Sequence, residues 1–158
     1  MRTVEGDLRE ATQAAIVQQC NCETLTSHGL SKDLSARFRY CRVYANRSGS
    51  RNRASRPAVP GTVEVFKGGG PDVVCLMAQH GPGRANRSKW PDTPQLRLRW
   101  FREALARVAG LGYAEVAVPY KIGCGLAGGD WGAYRLALGE FERDSGVGVV
   151  VYQRAGDA

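Results

Sequence analysis

The residues best suited to chemistry lie in one loop, Lys121-Ile122-Gly123-Cys124-Gly125-Leu126-Ala127-Gly128-Gly129-Asp130-Trp131. Four glycines fall in the seven positions from 123 to 129. Glycine lets a main chain approach a ligand closely and turn successive N–H groups inward, and such a loop ahead of a helix N-terminus is a ready seat for phosphate. A turn that only reverses the chain is the alternative. Three familiar phosphate motifs fail on spacing. Gly123-x-Gly125-x-x-Gly128 has the form of the dinucleotide fingerprint, yet it lies near the chain's end, with no room for the second half of that fold. Gln153 and Arg154 stand where its acidic residue should follow. The Lys-Ser/Thr pair of a nucleotide-triphosphate loop is missing. Six positions after Cys124 comes Asp130, not the arginine with which a cysteine phosphatase holds its phosphate.

The flanking elements must hold this loop. Glu115 to Tyr120 reads as a buried strand ending at Pro119. Trp131, Tyr134, Leu138 and Phe141 recur at helical spacing behind Asp130, a plausible N-cap. Gly146 ends that helix, and Val147 to Gln153 returns as a strand. Upstream, Arg2 to Glu5 is a short strand closed by Gly6-Asp7. Ala14 to Asn21 is a buried strand, and Ser31 caps a helix that runs to about Arg39. Gly61 to Lys67 and Asp72 to Gln79 make a hairpin across Gly68-Gly69-Gly70. Thr93-Pro94 starts a helix whose buried face is Leu96, Trp100, Phe101, Ala104, Leu105, Val108 and Leu111. The order of elements implies a three-layer α/β/α sandwich around a mixed sheet of about six strands, a single domain over residues 1–158.

The 158 residues are enough for one core that buries about 70% of the unfolded surface. The net charge of +7 favours anionic partners. Arg42 to Pro60 carries five arginines and no hydrophobic period, and His80 to Asp92 adds Arg84, Arg87, Lys89 and an exposed-looking Trp90. These basic loops are candidate contacts for nucleic acid; a solvated basic loop and a loop anchored by one buried tryptophan are the bland readings. The polar N-terminus is unlike a signal peptide, and no apolar run approaches the roughly 20 residues of a membrane span. The expectation is a soluble, cytoplasmic protein without membrane contact. Five scattered cysteines suit reduced thiols, and with His28 and His80 the only imidazoles, neither a metal nor a cofactor is expected.

Together these pieces resemble a macro domain, the ADP-ribose-binding fold. The resemblance rests on Gly6-Asp7-Leu8, Ala15 to Asn21, His28-Gly29-Leu30-Ser31, Pro119, Ile122-Gly123-Cys124-Gly125-Leu126 and Val151-Tyr152, in that order over nearly the whole chain. It implies that Asp7 accepts a hydrogen bond from the adenine amino group and that Tyr152 lines the adenine pocket. It further implies Asn21 at the distal ribose, and Gly29, Leu30, Ile122, Gly123, Cys124, Gly125, Leu126, Ala127 and Gly128 along the ligand. Gly-Cys-Gly-Leu is similar to the branch of terminal ADP-ribose glycohydrolases, antitoxins that remove ADP-ribose from DNA, and ADP-ribose 1″-phosphate phosphatases. The lysine and aspartate of such a glycohydrolase would fall at Gln79 and Ala127, which cannot play those parts. Asp130 as a base for water and His28 as a proton donor are the remaining catalytic candidates, and Lys121 could neutralise a diphosphate. The expected function is hydrolysis at the distal ribose C1″ of an ADP-ribosylated target or of ADP-ribose 1″-phosphate. A non-catalytic reader of ADP-ribose and a basic nucleic-acid-binding domain are the alternatives.

Overall fold

Two central strands dictate the architecture, because both of their faces are buried. In the computed structural model, which describes residues 1–157, β2 (Ala15–Asn21) and β6 (Asp72–Gln79) are buried along almost their whole length. Strands of this kind need cover on both sides. They sit in one six-stranded sheet with β1 (Arg2–Glu5), β5 (Val63–Phe66), β7 (Glu115–Pro119) and β8 (Gly148–Gln153), in the order β1-β8-β7-β2-β6-β5. All neighbours run parallel except the β5–β6 hairpin.

On one face, α2 (Pro94–Ala109) and α3 (Trp131–Ser145) bury Phe101, Leu105, Tyr134 and Leu138 against Val17, Leu76, Val118 and Val151. On the other, α1 (Gly29–Arg37) and the segment after it pack Leu34, Phe38, Val43 and Tyr44 against Ile16, Cys20, Val73 and Met77. This is the expected three-layer sandwich. Thr93 caps α2 by accepting from the Leu96 N–H at 3.1 Å, and Asp130 caps α3.

Four local expectations need correction. Helix α1 starts at Gly29 after an extended His28, so Ser31 lies inside the first turn, buried, and is not the cap. The helix ends at Arg37 because Phe38 leaves the helical conformation to enter the core. Leu111 lies beyond the end of α2 and is exposed. The arginine-rich segment from 42 to 60 holds Val43 and Tyr44 in the core and a tight hairpin, β3 (Gly49–Ser50) and β4 (Arg53–Ala54). Its two turn residues, Arg51 and Asn52, both have φ of 53°, the left-handed pair that matches strand twist.

Candidate functional site

Parallel strands bring their carboxyl ends to one edge, and a cleft of about 630 Å³ opens there. That is the size of a small-molecule site. Gly6, Asn21, Gln79, Lys121 and Tyr152, all at or just past strand ends, contribute to its lining.

The glycine loop forms one wall. Lys121, Gly123 and Gly128 adopt φ of 57°, 74° and 73°, and the loop is braced internally by Cys124 N–H to Lys121 O (2.9 Å), Gly128 N–H to Gly125 O (3.0 Å) and Gly129 N–H to Gly123 O (3.0 Å). Among the described residues, the N–H groups of Gly123, Gly125, Leu126 and Ala127 donate to no protein acceptor. Those four residues all line the cleft. Main-chain donors left over on a concave wall suit an anion. Gly123 admits no side chain, since a Cβ there would lie 2.8 Å from both Gln19 Oε1 and Tyr134 Cε1.

Of the loop residues expected along a ligand, Ile122, Gly123, Gly125, Leu126 and Ala127 line the cleft, whereas Cys124 and Gly128 do not. The Cys124 thiol donates to Ile122 O at 3.3 Å and packs on the core beneath the loop. Burial, with Asp130 adding to it, pushes its pKa up to about 11, so it is a neutral thiol at neutral pH. Gly128 is covered by Arg84, whose Nη1 lies 2.8 Å from where a Cβ would stand. On the opposite wall, Gly29 and Leu30 line the cleft, and the exposed Leu126 side chain reaches across to Gly29.

The remaining expected residues divide. Tyr152 lines the cleft, its hydroxyl fixed by donation to Gln13 Oε1 at 2.7 Å. Asn21 also lines it, but its amide is fully used. Oδ1 accepts from the N–H groups of Glu23 and Thr24 at 2.9 Å, and Nδ2 donates to Thr24 Oγ1 at 3.0 Å and to the Tyr44 hydroxyl at 3.3 Å. Asp7 lies outside the lining, between Gly6 and Leu8 that belong to it. Arg9 grips the Asp7 carboxylate through Nε (3.1 Å) and Nη2 (2.6 Å) and holds its pKa down to about 2. His28 stands at the cleft wall, with Nε2 3.4 Å from Thr26 Oγ1. Asp130 is not in the lining; its carboxylate accepts from the Gly132 N–H at 3.3 Å as the α3 cap. Gln79 accepts from Gln19 Nε2 and donates to Gly81 O, both at 3.0 Å, so its amide bridges β2 to the loop after β6.

Trp90 corrects another expectation. It is buried, 5.4 Å from the His80 ring, with the Arg53 guanidinium 4.2 Å over its own ring. It anchors the loop and offers no face to a base. Arg47, within the arginine-rich stretch, has a structural role. Its guanidinium donates to Asn21 O (2.6 Å) and Thr24 O (2.8 Å) and stacks 4.5 Å over Tyr44, so it fixes the loop after β2. No spacing rule in the sequence marks it out from the four other arginines between 42 and 60.

No family model matches the sequence, and no curated protein does. Solved structures do match. The macrodomain of Mycobacterium tuberculosis DarG is 21% identical with a TM-score of 0.63, over 98% of this chain and 99% of that one. The chain has the macrodomain fold. A Bacteroides thetaiotaomicron protein of the same shape is 22% identical with a TM-score of 0.71, over 96% of this chain and 97% of its own. An Oceanobacillus iheyensis macrodomain mutant with ADPR is 16% identical with a TM-score of 0.62, over 95% of this chain and 83% of its own. Among the described residues no helix is long and apolar enough to cross a membrane.

Proposed function

We propose that this chain binds ADP-ribose in the strand-end cleft, with the diphosphate on the glycine loop. The observation that carries the reading is the set of unspent N–H groups on Gly123, Gly125, Leu126 and Ala127, four loop residues that line one cleft. The volume of about 630 Å³, the rigid Tyr152 ring at the β8 end and the likeness to a macrodomain solved with ADPR support it. Tyr152 and Gly6 are the residues for the adenine end, and Lys121 on the rim adds positive charge for the diphosphate. Calorimetric titration with ADP-ribose tests this, with Gly125→Glu beside it. The substitution enters open space and sets a carboxylate against the phosphate, so it should abolish binding in a folded protein. A folded wild type that takes up no ADP-ribose refutes the assignment.

Recognition without turnover is the form of this function that the side chains favour. Asp130 caps a helix outside the cleft lining, Asn21 is saturated, and Gln79 replaces a nucleophilic lysine. His28 remains as the proton carrier if water attacks C1″ of a bound distal ribose. Release of ADP-ribose from modified protein or DNA, or of phosphate from ADP-ribose 1″-phosphate, would reinstate the hydrolase. A nucleic acid as bearer of the ADP-ribose is favoured by one further observation. Arg51, Arg56, Arg84, Arg87 and Lys89 are exposed and make no ion pair among the described residues, and Arg84 rests on Gly128 beside the cleft. Binding of ADP-ribosylated oligonucleotide that is tighter than free ADP-ribose, and weakens with salt, would support that target.

A further inference from the structure

Arg97 touches two of the loops that line the cleft, the one at Gly81–Gly83 and the glycine loop. It sits in the first turns of α2 and is only 3% exposed. A guanidinium has five N–H donors in a rigid fork, and here each has an acceptor. Nε and Nη2 donate to the fully buried Asp92 at 2.8 Å and 2.7 Å. Nη2 also reaches Gly81 O at 3.2 Å, while Nη1 reaches Gly83 O at 2.6 Å and Ala127 O at 3.3 Å. Asp92 returns a contact by accepting from the Gly81 N–H at 3.2 Å.

Gly83 and Ala127 belong to two separate loops that both line the cleft. Each turns its carbonyl oxygen back against the buried cation. A carbonyl oxygen facing the cleft would repel an anion, whereas here the Ala127 carbonyl is engaged from behind while the N–H groups of Gly125, Leu126 and Ala127 stay unspent. The ion pair is neutral as a whole, so its contribution is order rather than field. Lysine cannot replace it, since a point charge with three donors does not span three carbonyls and a carboxylate.

We propose that the Arg97–Asp92 pair is a positioning device that locks the 81–83 loop to the glycine loop and so sets the cleft's affinity for a diphosphate. The inference rests on the ADP-ribose reading above. Two variants test it, Arg97→Lys and the double variant Asp92→Leu/Arg97→Met, each followed by calorimetric titration with ADP-ribose, thermal unfolding, and amide exchange at Gly128 and Gly129, whose N–H groups brace the loop. Arg97→Lys should weaken ADP-ribose binding on the order of 10-fold or more, because a loop freed from its clamp must be ordered again when the ligand binds. Exchange at Gly128 and Gly129 should quicken while β8 stays protected. The double variant leaves no unpaired buried charge but takes the donor from the Gly83 and Ala127 carbonyls, so it should recover part of the thermal stability without recovering affinity. A folded Arg97→Lys that keeps affinity within about twofold and leaves loop exchange unchanged overturns the proposal. So does a double variant that regains affinity together with stability, since the pair would then be structural only. A wild type that binds no ADP-ribose instead overturns the ligand reading, and loop exchange in Arg97→Lys still decides whether the clamp exists.

Discussion

Alanine at Gly123 and alanine at Gly125 should behave very differently, although the two glycines are neighbours in one loop. Gly123 has φ of 74°, and a Cβ there would stand 2.8 Å from Gln19 Oε1 and from Tyr134 Cε1. Holding an alanine in the left-handed region costs about 1–2 kcal/mol. Displacing a buried ring and an amide adds roughly 1–3 kcal/mol of overpacking. The sum is about 2–5 kcal/mol, which for a chain of this length lowers Tm by about 5–15 °C. A Cβ on Gly125 meets nothing within 4 Å, and its φ is not positive. Gly125→Ala should therefore stay within about 0.5 kcal/mol of wild type. Differential scanning calorimetry of the three proteins measures both effects. Equal Tm for Gly123→Ala and wild type would refute the loop conformation on which the anion-site argument stands.

The Asp7 carboxyl is held near a pKa of about 2, first by the Arg9 hydrogen bonds. Because the folded pKa lies below the ordinary 3.8, the pair's stabilisation is complete above about pH 4 and fades as pH falls toward 2; a carbon-13 carboxyl titration with its midpoint near 4 would contradict this. Cys124, with its pKa pushed up to about 11, should alkylate slowly at pH 7.5, and Cys124→Ala should leave ADP-ribose affinity within about twofold. Rapid alkylation or a large loss would place the thiol in the cleft. Arg47→Ala removes two hydrogen bonds to main-chain carbonyls and a stacking contact with Tyr44, and should cost about 2–4 kcal/mol in denaturant melts. A change under about 0.5 kcal/mol would show that the loop after β2 holds itself.

Much of the fold was legible because its signals are local and repeated. Buried runs in Ala15–Asn21 and Asp72–Gln79, the Thr93-Pro94 start and the Asp130 cap each state one element's nature within a few residues. Gly123, Gly128 and Gly129 marked the loop that walls the cleft for the same reason, since positive φ or close packing excludes a side chain at each of them. Local signals failed where a neighbour distant in sequence took over. Ser31 has the chemistry of a cap, but the chain is already helical at Gly29. Trp90 sits among polar and basic residues, yet His80 and Arg53 cover it.

The polar side chains of the site were decided by tertiary structure alone. Asp7, Asn21 and Asp130 are the right residue types at strand and helix ends, and only the fold shows that Arg9, the 23–24 main chain and the α3 N-terminus already claim them. Arg97 and Asp92 look like ordinary surface charges in the sequence, whereas folding buries both and binds them to loops that the chain order separates. Periodicity and glycine spacing reveal how a backbone must run, because those constraints act between near neighbours. Which donor meets which acceptor is settled only when distant loops share one volume, and that assignment determines what is left over to hold a ligand.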